Sequence, residues 1–119
     1  MANDFIRVCT PNISSSSNST IYAVPAGASS AALESIVIGI TMANKTSSGV
    51  TASIFIDNED GSNDVFIVKD ASIPAGASLE VMSGNKLVLQ NDGSNGDNLE
   101  AICSAANSVD VTVSILQDV

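Results

Sequence analysis

Apolar and polar residues alternate along most of this chain, with the period of two that is typical of half-buried β-strands. The pattern is clearest in residues 109–115, where Val or Ile at every odd position alternates with Asp110, Thr112 and Ser114. This segment predicts a strand with one face in a core and the other in water.

A longer run, from about Leu33 to Ala43, predicts a strand with one thoroughly apolar face. That face comprises Ile36, Ile38, Ile40 and Met42, and the high content of β-branched residues argues against a helix. Residues 50–56 repeat the alternation after the turn-forming segment Asn44–Gly49. We therefore expect these two strands to form a hairpin whose apolar faces turn to the same core.

A Pro-Ala-Gly-Ala-Ser sequence occurs twice, within Val24–Ser29 and within Ile73–Ser78. Proline, whose φ is held at about −65°, suits the second position of a type I turn, and glycine suits its fourth. Both copies follow a β-branched residue and lead into apolar segments. They predict two similar corners between strands of one sandwich.

The remaining apolar runs supply the other predicted strands, over residues 5–9, 20–24, 65–68, 79–82, 86–89 and 99–105. Ser83-Gly84-Asn85 predicts a tight turn between two of them. The total is about eight to ten short strands with no substantial helix, separated by turn residues about every 8–12 positions. We expect residues 1–119 to form a single all-β domain, an antiparallel β-sandwich that is either jelly-roll or immunoglobulin-like.

Composition bears on what such a domain binds. Only 14% of the residues are charged, against about 25% in an average soluble domain, so the surface is covered by neutral polar residues or partly buried against other chains. The formal net charge is −9, and the basic residues are Arg7, Lys45, Lys69 and Lys86. A chain this acidic is not expected to bind nucleic acid or an anionic membrane.

The sequence offers no recognisable catalytic chemistry. It contains no histidine, which removes Ser-His and Cys-His nucleophile pairs and the commonest transition-metal ligand. Cys9 and Cys103 lie in apolar, strand-like runs without a Cys-x-x-Cys partner, so two buried free thiols are favoured over a disulfide. We predict that the protein is not an enzyme, and we assign no catalytic, cofactor-binding or metal-binding residue. The sequence starts without a signal-peptide pattern, so synthesis in a cytoplasm is expected.

Two acidic loops, at residues 57–64 and 92–97, are rich in the oxygen ligands that Ca²⁺ prefers. Neither matches the EF-hand spacing, and solvated loops are the favoured interpretation. A carbohydrate-binding module is a less favoured alternative, since the chain has no Trp and only one Tyr, Tyr22, on which a sugar ring could stack.

Two stretches, Ile73–Leu89 and Ala105–Leu116, resemble a family of small virion structural proteins of tailed bacteriophages, of the cyanophage and marine-phage type. Residues 5–8, 22–25 and 36–44 fit the same pattern, whereas the loop Asn91–Asn98 is longer than the turn expected in relatives. The resemblance covers most of the chain and implies a component of a virion assembled in the bacterial cytoplasm.

The resemblance leaves two placements open in the particle. A capsid decoration (cement) protein, which binds the major capsid protein and often forms trimers, is favoured over a neck, tail or fibre-associated protein. A homo-oligomer is expected in either case. The expected contact surfaces are strand edges or the serine-rich loop Ser14–Ser19.

Overall fold

The structure, a computed structural model, describes residues 3–57, 64–82 and 86–118. Nine strands lie in these residues. They are β1 (Asn3–Thr10), β2 (Ser19–Ala23), β3 (Leu33–Asn44), β4 (Val50–Asp57), β5 (Asp64–Ile73), β6 (Ser78–Glu80), β7 (Leu87–Asn91), β8 (Asn98–Cys103) and β9 (Val109–Asp118). The prediction of an all-β sandwich without a substantial helix is confirmed: in the described part of the chain, the helical element is one 3-10 turn, Ala28–Ser30.

The strands pair as one long hairpin that is folded over into two sheets. β4 pairs with β5, β3 with β6 and β7, β2 with β8, and β1 with β9, all antiparallel. Further pairing of β3 with β9 and of β4 with β8 gives a five-stranded sheet, β1-β9-β3-β6 with β7 also on β3, and a four-stranded sheet, β2-β8-β4-β5. This nested order is that of a jelly roll and differs from the strand order of an immunoglobulin-like sandwich.

The core between the sheets is almost entirely aliphatic. The alternation predicted for β9 is confirmed, because its odd-numbered residues Val109, Val111, Val113 and Ile115 are all buried. They pack with buried residues of both sheets, which include Val37, Ile40, Met42, Ile54, Leu89 and Leu99. Burying each such side chain stabilises the fold by about 1.5–3 kcal/mol.

One of the predicted connections is wrong. β3 and β4 lie in different sheets, so the segment 44–49 carries the chain across the core and does not close a hairpin. β6 and β7 do not pair with each other, because both pair with β3, at Thr41–Ala43 and at Leu33–Val37. The predicted tight turn at residues 83–85 lies outside the described residues. Alternation specifies which residues face a core, but it does not specify which strand supplies the hydrogen bonds.

A β-bulge in β3 reverses the direction of its side chains. Val37 pairs with Ile115 and Gly39 with Ser114, which leaves Ile38 as an extra residue. Before the bulge the odd positions of β3 are buried, and after it the even positions are buried. The prediction that Ile36, Ile38, Ile40 and Met42 share one apolar face is therefore wrong. Ile40 and Met42 enter the core, whereas Ile36 and Ile38 lie on the outer face of the sheet.

The two Pro-Ala-Gly-Ala-Ser copies both carry the chain from the four-stranded to the five-stranded sheet, as corners, but their conformations differ. In the second copy, the Ala77 amide donates to the Pro74 carbonyl at 3.1 Å, and Gly76 has a φ of 70°. Glycine is thus the third residue of this turn, in the left-handed conformation that type II turns require, and not the fourth residue of a type I turn. In the first copy, the left-handed residues are Ser29 and Ser30.

The first corner is held by the loop Asn91–Asn98, which gives this longer loop a structural role. The Asn91 side-chain amide donates to the Val24 carbonyl at 2.8 Å, and its carbonyl accepts from the Gly93 amide at 2.8 Å. Gly93 has a φ of 102°, and a Cβ there would collide with the carbonyl oxygen of Ser30. Only glycine allows the loop and the corner to approach this closely.

Buried polar side chains join the two sheets. The Tyr22 hydroxyl, on β2, donates to the Gln117 side-chain carbonyl at 2.6 Å and accepts from the Ser35 hydroxyl at 2.9 Å. Asn44 is equally engaged, since its amide nitrogen donates to the carbonyls of Ser48 and Ile73. Buried polar groups with such complete partners add directional constraints that an aliphatic core lacks.

The bulge makes a testable prediction about deletions. Removing Ile38 restores regular alternation and leaves Ile40 and Met42 facing the core, so the free energy of unfolding should change by less than about 1 kcal/mol. Removing Thr112 from β9, where the pairing with β1 is uninterrupted, should cost about 3–6 kcal/mol, because it turns Val109 and Val111 outward. Urea denaturation of both variants measures the difference, and equal losses would contradict the assignment of the bulge.

The buried tyrosine makes a prediction about alkaline pH. Burial raises the pKa of Tyr22, and the hydrogen bond from Ser35 opposes that rise to a smaller degree. The folded state therefore favours the neutral phenol, so its contribution to stability is complete below the ordinary pKa of about 10 and is lost as the pH rises through the folded pKa. Because Tyr22 is the only tyrosine, tyrosinate absorbance reports this group alone.

We expect the folded chain to titrate at higher pH than the urea-unfolded chain, and Ser35→Ala to move the folded midpoint higher still. Coincident titrations of folded and unfolded chain would contradict the buried hydrogen-bonded position of Tyr22.

Candidate interaction surface

An apolar row crosses the outer face of the five-stranded sheet. Phe5 on β1 is opposite Leu116 on β9, Leu116 is opposite Ile36 on β3, and Ile36 is opposite Val88 on β7. Directly paired residues project to the same side of a sheet, and the buried neighbours Val37 and Ile115 establish that this side faces away from the core. We call Phe5, Leu116, Ile36 and Val88 the outer row.

The outer row is open to solvent at both ends. Phe5 is 79% exposed and Val88 is 53% exposed, while Leu116 and Ile36 in the middle are partly covered. The bulge adds Ile38, which is 39% exposed, next to Ile36. Large side chains exposed in one contiguous line are unusual on a monomer and typically mark an interaction surface.

Two opposite charges lie on one side of the outer row, and Glu34, exposed on β3 opposite Gln90, lies on its other side. Arg7 lies on β1 opposite Ser114, and Ser114 lies opposite Gly39. At the other edge of the sheet, the Glu80 carboxylate oxygen is 3.8 Å from the point that a Cβ on Gly39 would occupy. Because Gly39 has no side chain, Glu80 leans over β3, and the row next to the apolar one begins with a cation and ends with an anion.

The outer face of the four-stranded sheet has a different character. Phe55 lies outside the core cluster, yet it is covered by the Phe66 ring at a centroid distance of 5.0 Å, and the Lys69 ammonium lies over Phe66 at 4.4 Å. Beside them, burial and the negative charge of Asp57 raise the pKa of Glu100, which accepts a hydrogen bond from Thr20. This face is acidic, and its Phe66 ring, although 42% exposed, is in contact with Phe55 and Lys69.

A shallow hollow of about 520 Å³ lies beside the first corner. Small apolar residues, among them Pro25, Ala28 and Ala31, line it together with Gln117. Gln117 is its polar side chain, and the carbonyl oxygen of that side chain already accepts the Tyr22 hydroxyl. The hollow therefore offers a single polar side chain with which to orient a ligand.

The structure separates the two cysteines and leaves both as free thiols. Cys103 is buried as predicted, and its sulfur lies 3.0 Å from the Ala105 carbonyl oxygen. The prediction that Cys9 is buried is wrong, because Cys9 has the same outward parity on β1 as Phe5 and Arg7, whereas Ile6 and Val8 turn inward.

The oxygen-rich loops and the serine-rich loop are organised by their own hydrogen bonds where they are described. The Asp92 carboxylate accepts the amides of Ser94 and Asn95, both at 2.8 Å, and these bonds lower the pKa of Asp92. The Ser14 hydroxyl accepts the amides of Ser16 and Ser17 in the same way. Residues 58–63 of the other acidic loop lie outside the described residues.

Residues 3–57, 64–82 and 86–118 bring together no group of three or more His, Cys, Asp or Glu side chains with the geometry of a metal site. Within the same residues, no helix has the length and apolar character needed to cross a membrane. Tyr22, the one candidate for stacking on a sugar ring, is 8% exposed and lies inside the sandwich.

Sequence reasoning missed the outer row because it depends on the register of four strands and on the bulge. The one local indication was Gly39, since a glycine inside an otherwise β-branched strand often marks a bulge.

No family model and no curated protein matches this chain. Among solved structures it is similar to Bacillus endospore appendages, a family of disulfide-linked pili, at 13% identity and a TM-score of 0.42 over 99% of this chain and 88% of that one. It is also similar to infectious bursal disease virus, Gx strain (12% identity, TM-score 0.46, 97% of this chain and 32% of that one).

A third similar structure is the STIV MCP, a viral capsid protein (12% identity, TM-score 0.29, 93% of this chain and 48% of that one). The chain thus spans about a third and about a half of the two viral proteins. These similar structures belong to a pilus and to two viruses, and at such scores the likeness supports no argument about what this chain does.

Proposed function

We propose that this protein is a non-enzymatic structural subunit of a tailed-bacteriophage virion, and specifically a decoration protein of the head that binds the assembled capsid lattice. The observation that carries the proposal is the outer row, a solvent-open apolar line across a sheet face in a chain with few charges. Such a surface costs free energy in water and is stabilised when other protein covers it. The sequence resemblance to small virion proteins is the reason for proposing a virion as the assembly in which this surface is covered.

A decoration protein needs no catalytic group. A subunit that binds the closed lattice and not the free capsid subunits stabilises the lattice by mass action, by an amount that grows with the logarithm of its concentration over Kd. The outer row of the five-stranded sheet suits protein contacts, and the acidic face of the four-stranded sheet suits exposure to solvent. Neither face suits DNA, since the net charge is −9.

The proposal predicts how many copies a particle carries and what they do. Quantitative mass spectrometry of purified virions should find hundreds of copies, and adding the protein to particles that lack it should raise their melting temperature. A few dozen copies or fewer would overturn placement on the head in favour of the neck or tail. No copies in the particle, together with binding to a glycan array, would overturn the virion assignment altogether.

A matched pair of variants tests the role of the outer row. Phe5→Ser should weaken retention on particles by about tenfold or more, because a phenylalanine contributes about 1.5–3 kcal/mol when it is buried. Val65→Ser is the control, since Val65 is 49% exposed but lies on β5 in the other sheet. Equal retention of the two variants would contradict a role for the outer row.

A further inference from the structure

The residues of the outer row are arranged symmetrically about the middle of the sheet, and this symmetry indicates which protein covers them. The order of strands is β1-β9-β3, followed by β6 and β7 on the far edge. Phe5 and Val88 occupy the two edges of this face, and Leu116 and Ile36 occupy the two central strands. A line drawn between β9 and β3, parallel to the strands, therefore divides the row into halves of similar size and chemistry.

One charged side chain lies on each side of this line, and the two charges have opposite signs. Arg7 lies on β1 at one edge, and Glu80 leans in from β6 at the other. Neighbouring strands are about 4.8 Å apart, so three strand spacings place the two backbones about 14 Å apart. In the described residues the one ion pair joins Lys45 and Asp110, so Arg7 and Glu80 of one chain are not paired with each other.

A second copy packed face to face about a two-fold axis along that line matches both the apolar residues and the opposite charges. Rotation by a half-turn about an axis parallel to the strands brings β1 of one copy over β6 and β7 of the other, and β9 over β3. Phe5 then faces Val88, Leu116 faces Ile36, and Arg7 faces Glu80, each contact occurring twice, as an isologous interface requires. A half-turn about the perpendicular in-plane axis would instead stack Phe5 on Phe5 and would leave Arg7 away from Glu80.

We propose that the outer face of the five-stranded sheet is a self-association surface on which a second copy of this chain docks about a two-fold axis parallel to the strands. The inference deepens the proposed function and rests on it: the outer row is buried between two copies, and the dimer binds the capsid lattice through its remaining surfaces. Two sheets packed in this way lie about 10 Å apart with aligned strands, as in the sandwich itself. The resulting unit is a dimer, whereas the family resemblance favours a trimer.

The other sheet face does not offer the same fit. Asp57 and Glu100 lie on its outer side, and their mutual repulsion contributes to the raised pKa of Glu100. Two copies of that face would bring like charges together, which disfavours association. Self-association is therefore assigned to the five-stranded sheet.

A charge exchange tests the proposed contact. Sedimentation velocity should show the unaltered chain as a dimer, and Arg7→Glu or Glu80→Arg alone should raise the dissociation constant by about tenfold or more, because each places two like-charge pairs in the interface. The double variant should recover the original dissociation constant within about threefold. Mixing the two single variants should also restore a dimer, since each chain then supplies the charge that the other needs.

A control variant and disulfide cross-linking test the same contact if one of the charge variants folds poorly. Lys69→Glu changes a charge by the same amount on the other sheet and should leave the dimer intact. In a Cys9→Ser background, chains with Phe5→Cys should form disulfides with chains carrying Val88→Cys, and neither variant should cross-link efficiently alone. Efficient Phe5→Cys homodimers, or a mixture that fails to cross-link, would overturn the two-fold arrangement.

Failure of this inference can be told from failure of the proposed function. A chain that binds particles but sediments as a monomer, or as a trimer insensitive to the Arg7 and Glu80 variants, would overturn the self-association surface alone. A chain that dimerises as described but is absent from particles would overturn the virion role and leave the surface in place.

Discussion

The extra residue in β3 is the constraint on which the rest of the surface depends. One inserted position, Ile38, separates two segments of the strand that bury opposite parities of side chain. If Ile38 were paired in regular register, Ile36 and Ile40 would lie on the same side of the sheet, and β3 could not fill the core at Met42 while presenting Ile36 outward. The bulge therefore divides one apolar strand between two tasks, packing the core and building the outer row.

Polar anchors decide how the corners and sheets are placed around that strand. Asn44 at the end of β3 joins the β3–β4 crossing to the second corner through the Ile73 and Pro74 carbonyls. Asn91 does the same for the first corner through the Val24 carbonyl. Because both amides are buried with their donors engaged, losing either would leave buried carbonyl groups without partners, at a cost of about 1–3 kcal/mol each. Each of these two asparagines therefore anchors one of the two corners.

The outer faces of the two sheets differ in charge and in apolar character, a difference that the overall composition does not show. One face presents the outer row beside Arg7 and Glu80, and the other presents Glu100 and Asp57 around the Phe55 and Phe66 rings. A subunit built in this way can bury one face against protein while its acidic face remains in solvent and limits further stacking. We regard this division as the physical basis of the proposed assembly role.

The sequence by itself determined the all-β class, most of the strands and the inward positions of β9, because alternation with a period of two and turn residues are local properties. It also excluded catalysis that depends on histidine. Only the tertiary structure decided the jelly-roll order, the crossing between β3 and β4, and the exposure of Cys9, since each depends on which distant strand supplies the hydrogen bonds. The outer row belongs to the same class: Phe5, Leu116, Ile36 and Val88 are far apart in the chain and become neighbours only through the register of four strands and the bulge at Ile38.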